Sequence, residues 1–322
     1  MPLLSTDLTA IERNSRLLWC GTAALFITCA AGLFWAGLDV EVLSNPAFLA
    51  VGAGYAAVAF LYSRFRSSER LAMALTAVAQ LVLMMLFGIL LSYAVTTIDL
   101  PYRDAELLAL DRWLGFDRTS YVGFFTDQPW KMHATDLVYF AMLPQLAIVP
   151  LLLIITDRIE RLQQFVAAYC IALVVTVAIF VLVPAVGAFV YFDLTPAQYA
   201  ALPKEVYTPA RTLDLLRSGA FKTISLNNLE GLVAFPSFHT IASILYAWAL
   251  RPIRLLRWPV VLLNTGVILT TPIGGAHYVV DLLAGFAVAV ISIALSRRLL
   301  SPLLDAPQFS MVSQRSLPMA QT

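Results

Sequence analysis

Two of the three histidines in this 322-residue chain lie between Gly231 and Gly285, and each opens a long apolar segment. His239 stands in G-L-V-A-F-P-S-F-H-T, and His277 in T-P-I-G-G-A-H-Y-V-V-D-L-L-A-G. Imidazole is the side chain best suited to moving protons near neutral pH, and it can also act as a nucleophile. Asp281 follows His277 by four residues, so on a helix the carboxylate falls on the same face, one turn further along. A carboxylate within an apolar run needs a partner, and His277 is the nearest one. Pro236 suits the first turn of a helix; Ser237 suits its cap, or can offer a hydroxyl to a ligand. Helix starts carry partial positive charge and open N–H groups. Two such starts facing one cavity suit a phosphate bound between them. A structural hydrogen bond between helix starts is the plainer reading of His277 with Asp281.

The elements that must position these residues are membrane helices. Hydrophobic residues make up 60% of the chain, charged residues 13%, and mean hydropathy is +0.80, values that exclude an ordinary soluble domain. The expected class is an all-α polytopic membrane helix bundle. A net charge of +1 gives no bulk electrostatic attraction to nucleic acid. Cys20, Cys29 and Cys170 all fall in apolar runs without metal-ligand spacing, and read as buried, inert thiols.

Eight apolar segments are expected, near 17–38, 46–63, 71–98, 136–156, 163–190, 232–250, 255–273 and 277–300. The first reads as a retained helix rather than a cleaved signal. If all eight cross, the arginines at 13, 16, 64, 66, 70, 158, 161, 251, 254, 257, 297 and 298 share one side. The positive-inside rule then places both termini in the cytoplasm and both histidines at the outer face. Residues 1–70 form two N-terminal spans, 71–300 a six-helix core, and 301–322 a disordered cytoplasmic tail. Two long connections, 99–135 and 191–231, lie outside. The first contains R-D-A-E-L-L-A-L-D-R-W-L-G-F-D, which reads as an amphipathic helix in the membrane interface or a solvated loop helix. His133, beside Lys131 and Asp136, fits a headgroup pocket or an interfacial histidine paired with Asp136.

P-S-F-H followed by G-G-A-H-Y-V-V-D resembles the second and third signature motifs of the type 2 phosphatidic acid phosphatase superfamily. Phe238, where the phosphatases usually carry glycine, and the ending from His277 to Gly285 are more similar to its inositolphosphotransferase branch. That branch includes fungal inositol phosphorylceramide synthase and many bacterial relatives. The resemblance implies a ping-pong phosphotransfer. His277 would attack phosphorus to form a phosphohistidine, with Asp281 holding its tautomer. His239 would protonate the leaving group and then activate the acceptor. The resemblance implies no metal or other cofactor.

The chain departs from the family pattern at the cations. It lacks the first motif's Lys and Arg-Pro pair, since Arg251-Pro252 lies after His239 and on the opposite side. Thr270 and Thr271 stand where the third motif has Ser-Arg. The outer segment ahead of the His239 motif offers Arg217 as the first substitute, with Arg211 and Lys222 behind it, and Ser237 beside them. Lys204 lies in the same segment. Each of these cations also fits an ordinary solvated loop residue. The leading expectation is a lipid phosphotransferase that moves a phosphoryl or phosphoinositol-type headgroup from a phospholipid to a lipid alcohol. Its partners would be lipid donor, lipid alcohol or water, and the membrane, with a bacterial inner membrane as the expected location. A metal-independent lipid phosphatase acting on phosphatidate or a polyprenyl diphosphate is the alternative. A transporter would show internal symmetry and mid-membrane charges, and a CDP-alcohol phosphotransferase an acidic metal motif; neither pattern is present.

Overall fold

The computed structural model describes residues 5–41, 69–190, 196–202 and 206–300. The expected second span, Lys204 and the tail from 301 lie outside the described residues. The helices are α1 (Ser5–Ala36), α2 (Glu69–Thr96), α3 (Asp104–Trp113), α4 (Arg118–Thr126), α5 (Pro129–Phe140) and α6 (Met142–Ile155). They continue with α7 (Ile159–Leu182), α8 (Pro196–Ala201), α9 (Thr208–Arg217), α10 (Phe238–Leu250), α11 (Arg257–Gly274) and α12 (Val279–Leu299). Among the described residues, five stretches are long and apolar enough to cross a membrane: Ala10–Ala36, Met73–Thr96, Pro129–Ile155, Ile159–Leu182 and Val279–Leu299. The chain is an integral membrane protein built as an all-α bundle.

Several boundaries differ from expectation for identifiable reasons. The fourth span starts at Pro129, seven residues early, because Pro129 favours a helix start. It breaks at Ala141, where Pro144 in the first turn of α6 lacks an N–H and its ring crowds the carbonyl four residues back. The fifth ends at Leu182, because Pro184 disfavours helical backbone at Val183. Residues 231–237 are extended, so Pro236 precedes the cap of α10 instead of occupying its first turn.

The core runs down the middle of the bundle, through Leu81, Met84, Val149, Leu153, Phe165, Tyr169, Leu245 and Tyr246. Two pairs of polar side chains bridge helices inside it. Gln145 on α6 and Asn264 on α11 exchange two hydrogen bonds, of 3.3 and 2.8 Å. Asn14 on α1 donates to Gln163 on α7 at 3.1 Å. Only Cys29 of the three cysteines is buried; Cys20 on α1 is exposed and Cys170 on α7 is half-buried. A short parallel ribbon was not expected. It joins β1 (Asp39–Glu41) to β2 (Thr223–Ser225), linking the end of α1 to the loop that leads into the His239 motif.

Candidate functional site

His239 occupies the first turn of α10, and Ser237 caps that helix with its own hydroxyl. Ser237 Oγ accepts from the Thr240 N–H at 3.3 Å and the Thr240 hydroxyl at 3.2 Å. Ser237 is fully buried, so its hydroxyl serves the cap rather than projecting into open space. Phe238 turns into the bundle, edge-on to Tyr169 on α7 at 5.4 Å between ring centroids.

His277 lies one residue before the cap of α12, not within the helix as the four-residue spacing suggested. Asp281 still reaches it, because position three of a helix points back over its own start. Asp281 Oδ2 accepts the Tyr278 N–H at 2.7 Å and lies 3.2 Å from His277 Nδ1. That pairing leaves Nε2 of His277 for chemistry. His277 is 2% exposed. Burial pushes its imidazole down to about 4, partly offset by the Ala234 carbonyl, so the ring is neutral at pH 7.

The two rings meet edge-on with centroids 5.8 Å apart. Backbone contacts fix this approach. Ser237 N–H donates to the Asp281 carbonyl at 3.1 Å. Gly285 faces the same loop, and a Cβ there would stand 2.7 Å from the Ser237 carbonyl oxygen, which explains the glycine that ends the His277 motif. Gly275 keeps space open beside the Cδ2–Nε2 edge of His277: a Cβ there would lie 2.7 Å from His277 Cδ2 and 2.9 Å from the Tyr139 hydroxyl.

Tyr139, at the end of α5, belongs to the site and was not foreseen. Its ring stacks on His239 at 4.5 Å, and its hydroxyl lies 3.4 Å from His239 Nδ1. Each histidine therefore has a partner at Nδ1, a phenol for His239 and a carboxylate for His277.

The connection 99–135 folds onto the site instead of lying apart as an interfacial helix. Asp104 and Asp111, two turns apart on one face of α3, are 1% and 2% exposed because their carboxylates receive backbone N–H groups. Asp104 accepts from Val186 and Gly187, and from the Tyr278 hydroxyl at 3.1 Å. Asp111 accepts from the N–H groups of Val279 and Val280 at 3.0 and 2.9 Å. The start of α12 is thus filled by carboxylates and is not the open anion site expected from sequence.

The buried cation at this end is Arg118, in the first turn of α4. Its Nη2 donates to Asp111 at 3.1 Å and to the His277 carbonyl at 3.0 Å, while its Nε and Nη1 are buried without a protein partner. Burial draws its pKa down and Asp111 opposes this. The structure does not bring Arg217 to the histidines by any described contact. Its guanidinium lies 3.5 Å over the Tyr102 ring and 3.4 Å from Asp99, packing that satisfies its charge elsewhere. Arg211, Lys222 and His133 are exposed. Lys131 is engaged by Asp127 and the Phe124 carbonyl. Among the described residues, no group of three His, Cys, Asp or Glu side chains could hold a metal ion.

A family model described as the PAP2 superfamily matches residues 105–295, from the first turn of α3 almost to the end of α12. No curated protein matches the chain. No solved structure matches it either.

Proposed function

The chain belongs to the PAP2 superfamily, and we propose that it is a lipid phosphotransferase working through a phosphohistidine. Superfamily membership supports phosphatase or phosphotransferase chemistry on lipid phosphates; the finer reading rests on the pair of imidazoles. Near-attack contacts run about 3–3.5 Å, so rings 5.8 Å apart can both touch one phosphoryl group. In the first half-reaction, the lone pair on His277 Nε2 forms the N–P bond as the P–O bond to the leaving alcohol breaks. His239, once protonated beside the bound phosphate anion, gives that oxygen its proton. In the second, the acceptor hydroxyl gives its proton to His239 and attacks phosphorus, and His277 leaves as neutral imidazole. Asp281 holds the Nδ1 proton throughout, and Tyr139 sets the orientation of His239. Arg118 supplies the cation for the phosphoryl oxygens in place of the missing motif residues, supported by its two unpartnered buried nitrogens beside His277. Ser237 acts by capping and aiming the loop, and Arg217, Arg211 and Lys222 serve lipid headgroups outside this centre.

The catalytic unit in this reading is residues 71–300, with the histidine end at the extracytoplasmic face of a bacterial inner membrane and both termini in the cytoplasm. The transferase reading, of inositolphosphotransferase type, rests on Phe238 and its packing against Tyr169, which makes the wall beside His239 apolar and suited to a lipid alcohol. A phosphatase is the second reading, because water meets the same chemical requirement as the alcohol.

The test uses purified protein with EDTA and a panel of phospholipids labelled with radioactive phosphorus. Wild type should acquire an acid-labile, base-stable protein label and pass it to a new lipid, and His277→Ala should do neither. Free phosphate with no new lipid would assign the phosphatase. Turnover preserved in His277→Ala would overturn the mechanism.

A further inference from the structure

The opposite end of the bundle carries a second concentration of charge that the proposed chemistry does not use. From His239 to Arg251 the chain advances about 18 Å along α10, at about 1.5 Å per residue. There the start of α7 and the ends of α10 and α12 converge on one side chain, Trp248. The Arg161 guanidinium lies 4.4 Å from the Trp248 ring centroid, and that of Arg297 lies 6.0 Å from the same ring. Arg158 Nη2 donates to the Pro252 carbonyl at 3.1 Å, which draws the turn after α10 into the group. The positive charges of Arg297, Arg158 and Arg251 all bear on Arg161, opposed by Glu160. Glu160 itself accepts a hydrogen bond from Gln164 at 2.8 Å. Asp157 and Glu160 are the acids in these segments, against arginines at 158, 161, 251, 254, 257, 297 and 298.

Two features separate this cluster from arginines that only set membrane orientation. Such arginines fan out into water or headgroups, whereas Arg161 and Arg297, from two different helices, meet at one ring. Arg161 Nη1 and Arg158 Nε are also shielded from solvent and have no hydrogen-bond partner among the described residues. Buried polar nitrogens are nearly always satisfied, and like charges gathered at one place repel. A bound anion resolves both problems. A guanidinium fork matches a phosphate oxygen pair, and basic pockets between membrane helices take lipid headgroups. The indole ring gives the guanidinium groups a flat face to lie on and fixes their spacing.

We propose that this end is a second anion site, in which Arg158, Arg161 and Arg297 around Trp248 hold a phosphate group. An anionic phospholipid headgroup and free phosphate share that chemistry. The site is separate from the histidine pair, so it stands or falls independently of the catalytic reading. Under the positive-inside orientation it faces the cytoplasmic leaflet.

The experiment compares wild type with R161Q/R297Q, which removes both charges and keeps a polar side chain. Each is placed in nanodiscs of phosphatidylcholine alone, of phosphatidylcholine with phosphatidylglycerol, or of phosphatidylcholine with inorganic phosphate in the buffer. Melting temperature and lipid retention in native mass spectrometry are read. Wild type should retain phosphatidylglycerol and melt higher with it. In the double variant, retention should fall about tenfold, the effect of losing a charge-assisted hydrogen bond. A melting shift with inorganic phosphate alone that the variant lacks would assign the site to free phosphate. Equal retention and equal melting of the two proteins in all three settings would overturn the proposal. Should the variant not fold, salt decides on wild type alone: retention unchanged between low and high ionic strength overturns the site, and loss at high salt supports it.

Discussion

At the start of α10 the cap comes from within the motif. Ser237 closes the turn through Thr240, three residues on, and no carboxylate takes part. At the start of α12 the cap comes largely from a distant part of the chain. Asp111 receives two of its N–H groups, Asp281 receives a third, and Arg118 ties the assembly to the His277 carbonyl. The first histidine therefore rides on a local turn, while the second is held by a charged network reaching from Asp111 and Arg118. This division suits the roles proposed above. A nucleophile must present one nitrogen at a fixed angle, whereas a proton carrier has to serve two different oxygens in succession.

The contrast is broken most severely at Asp111. Asp111→Ala leaves Arg118 buried without its carboxylate and opens two N–H groups, a loss of about 3–5 kcal/mol. A steep fall in melting temperature and in yield of folded protein is expected. Next comes pH. The folded pKa of His277, near 4, lies below the ordinary value of 6.5, so the unfolded chain takes the proton first as pH drops. His277 therefore contributes a loss of stability between pH 6.5 and about 4, up to about 3 kcal/mol, and nothing further below that. Melting curves of wild type and His277→Gln over this range should converge toward acid; parallel curves would contradict the neutral buried imidazole. Gly285→Ala forces a Cβ to within 2.7 Å of the Ser237 carbonyl and spreads the two starts. It should lower stability by about 1–3 kcal/mol and phosphohistidine formation by more than melting alone explains. The smallest effect belongs to the local cap: Ser237→Ala should reduce stability by about 1 kcal/mol. A loss at Ser237 equal to that at Asp111 would erase the distinction between the two starts.

The sequence revealed the parts of this site that lie close together along the chain. His277 and Asp281 are four residues apart, and their pairing was legible although its geometry was not, since the carboxylate reaches back over a cap instead of along a helix face. His239 and Ser237 were legible for the same reason. The partners missed lie far off in sequence: Tyr139 sits 100 positions from His239, and Asp111 is 168 from Val279. Arg118 was not singled out in the sequence, and only tertiary packing shows it buried while Arg217 lies over Tyr102. One signal was available. Asp104 and Asp111 stand seven residues apart, hence on one helix face, and that face also carries the buried Leu107. An acid pair sharing a face with a buried leucine points to carboxylates turned inward, not into water.

The β1–β2 ribbon bears on how the protein is assembled in the cell. Asp39–Glu41 leaves the ribosome with the first helix, yet its partner Thr223–Ser225 is synthesised only after α7 and the long outer connection. Until then β1 carries an unpaired edge. The loop leading to His239 can take its final position only when Thr223–Ser225 docks beside Asp39–Glu41. Integrity of the first helix is thus a condition for setting that loop, so a chain translated from beyond Glu41 should insert its later helices and still fail to set it.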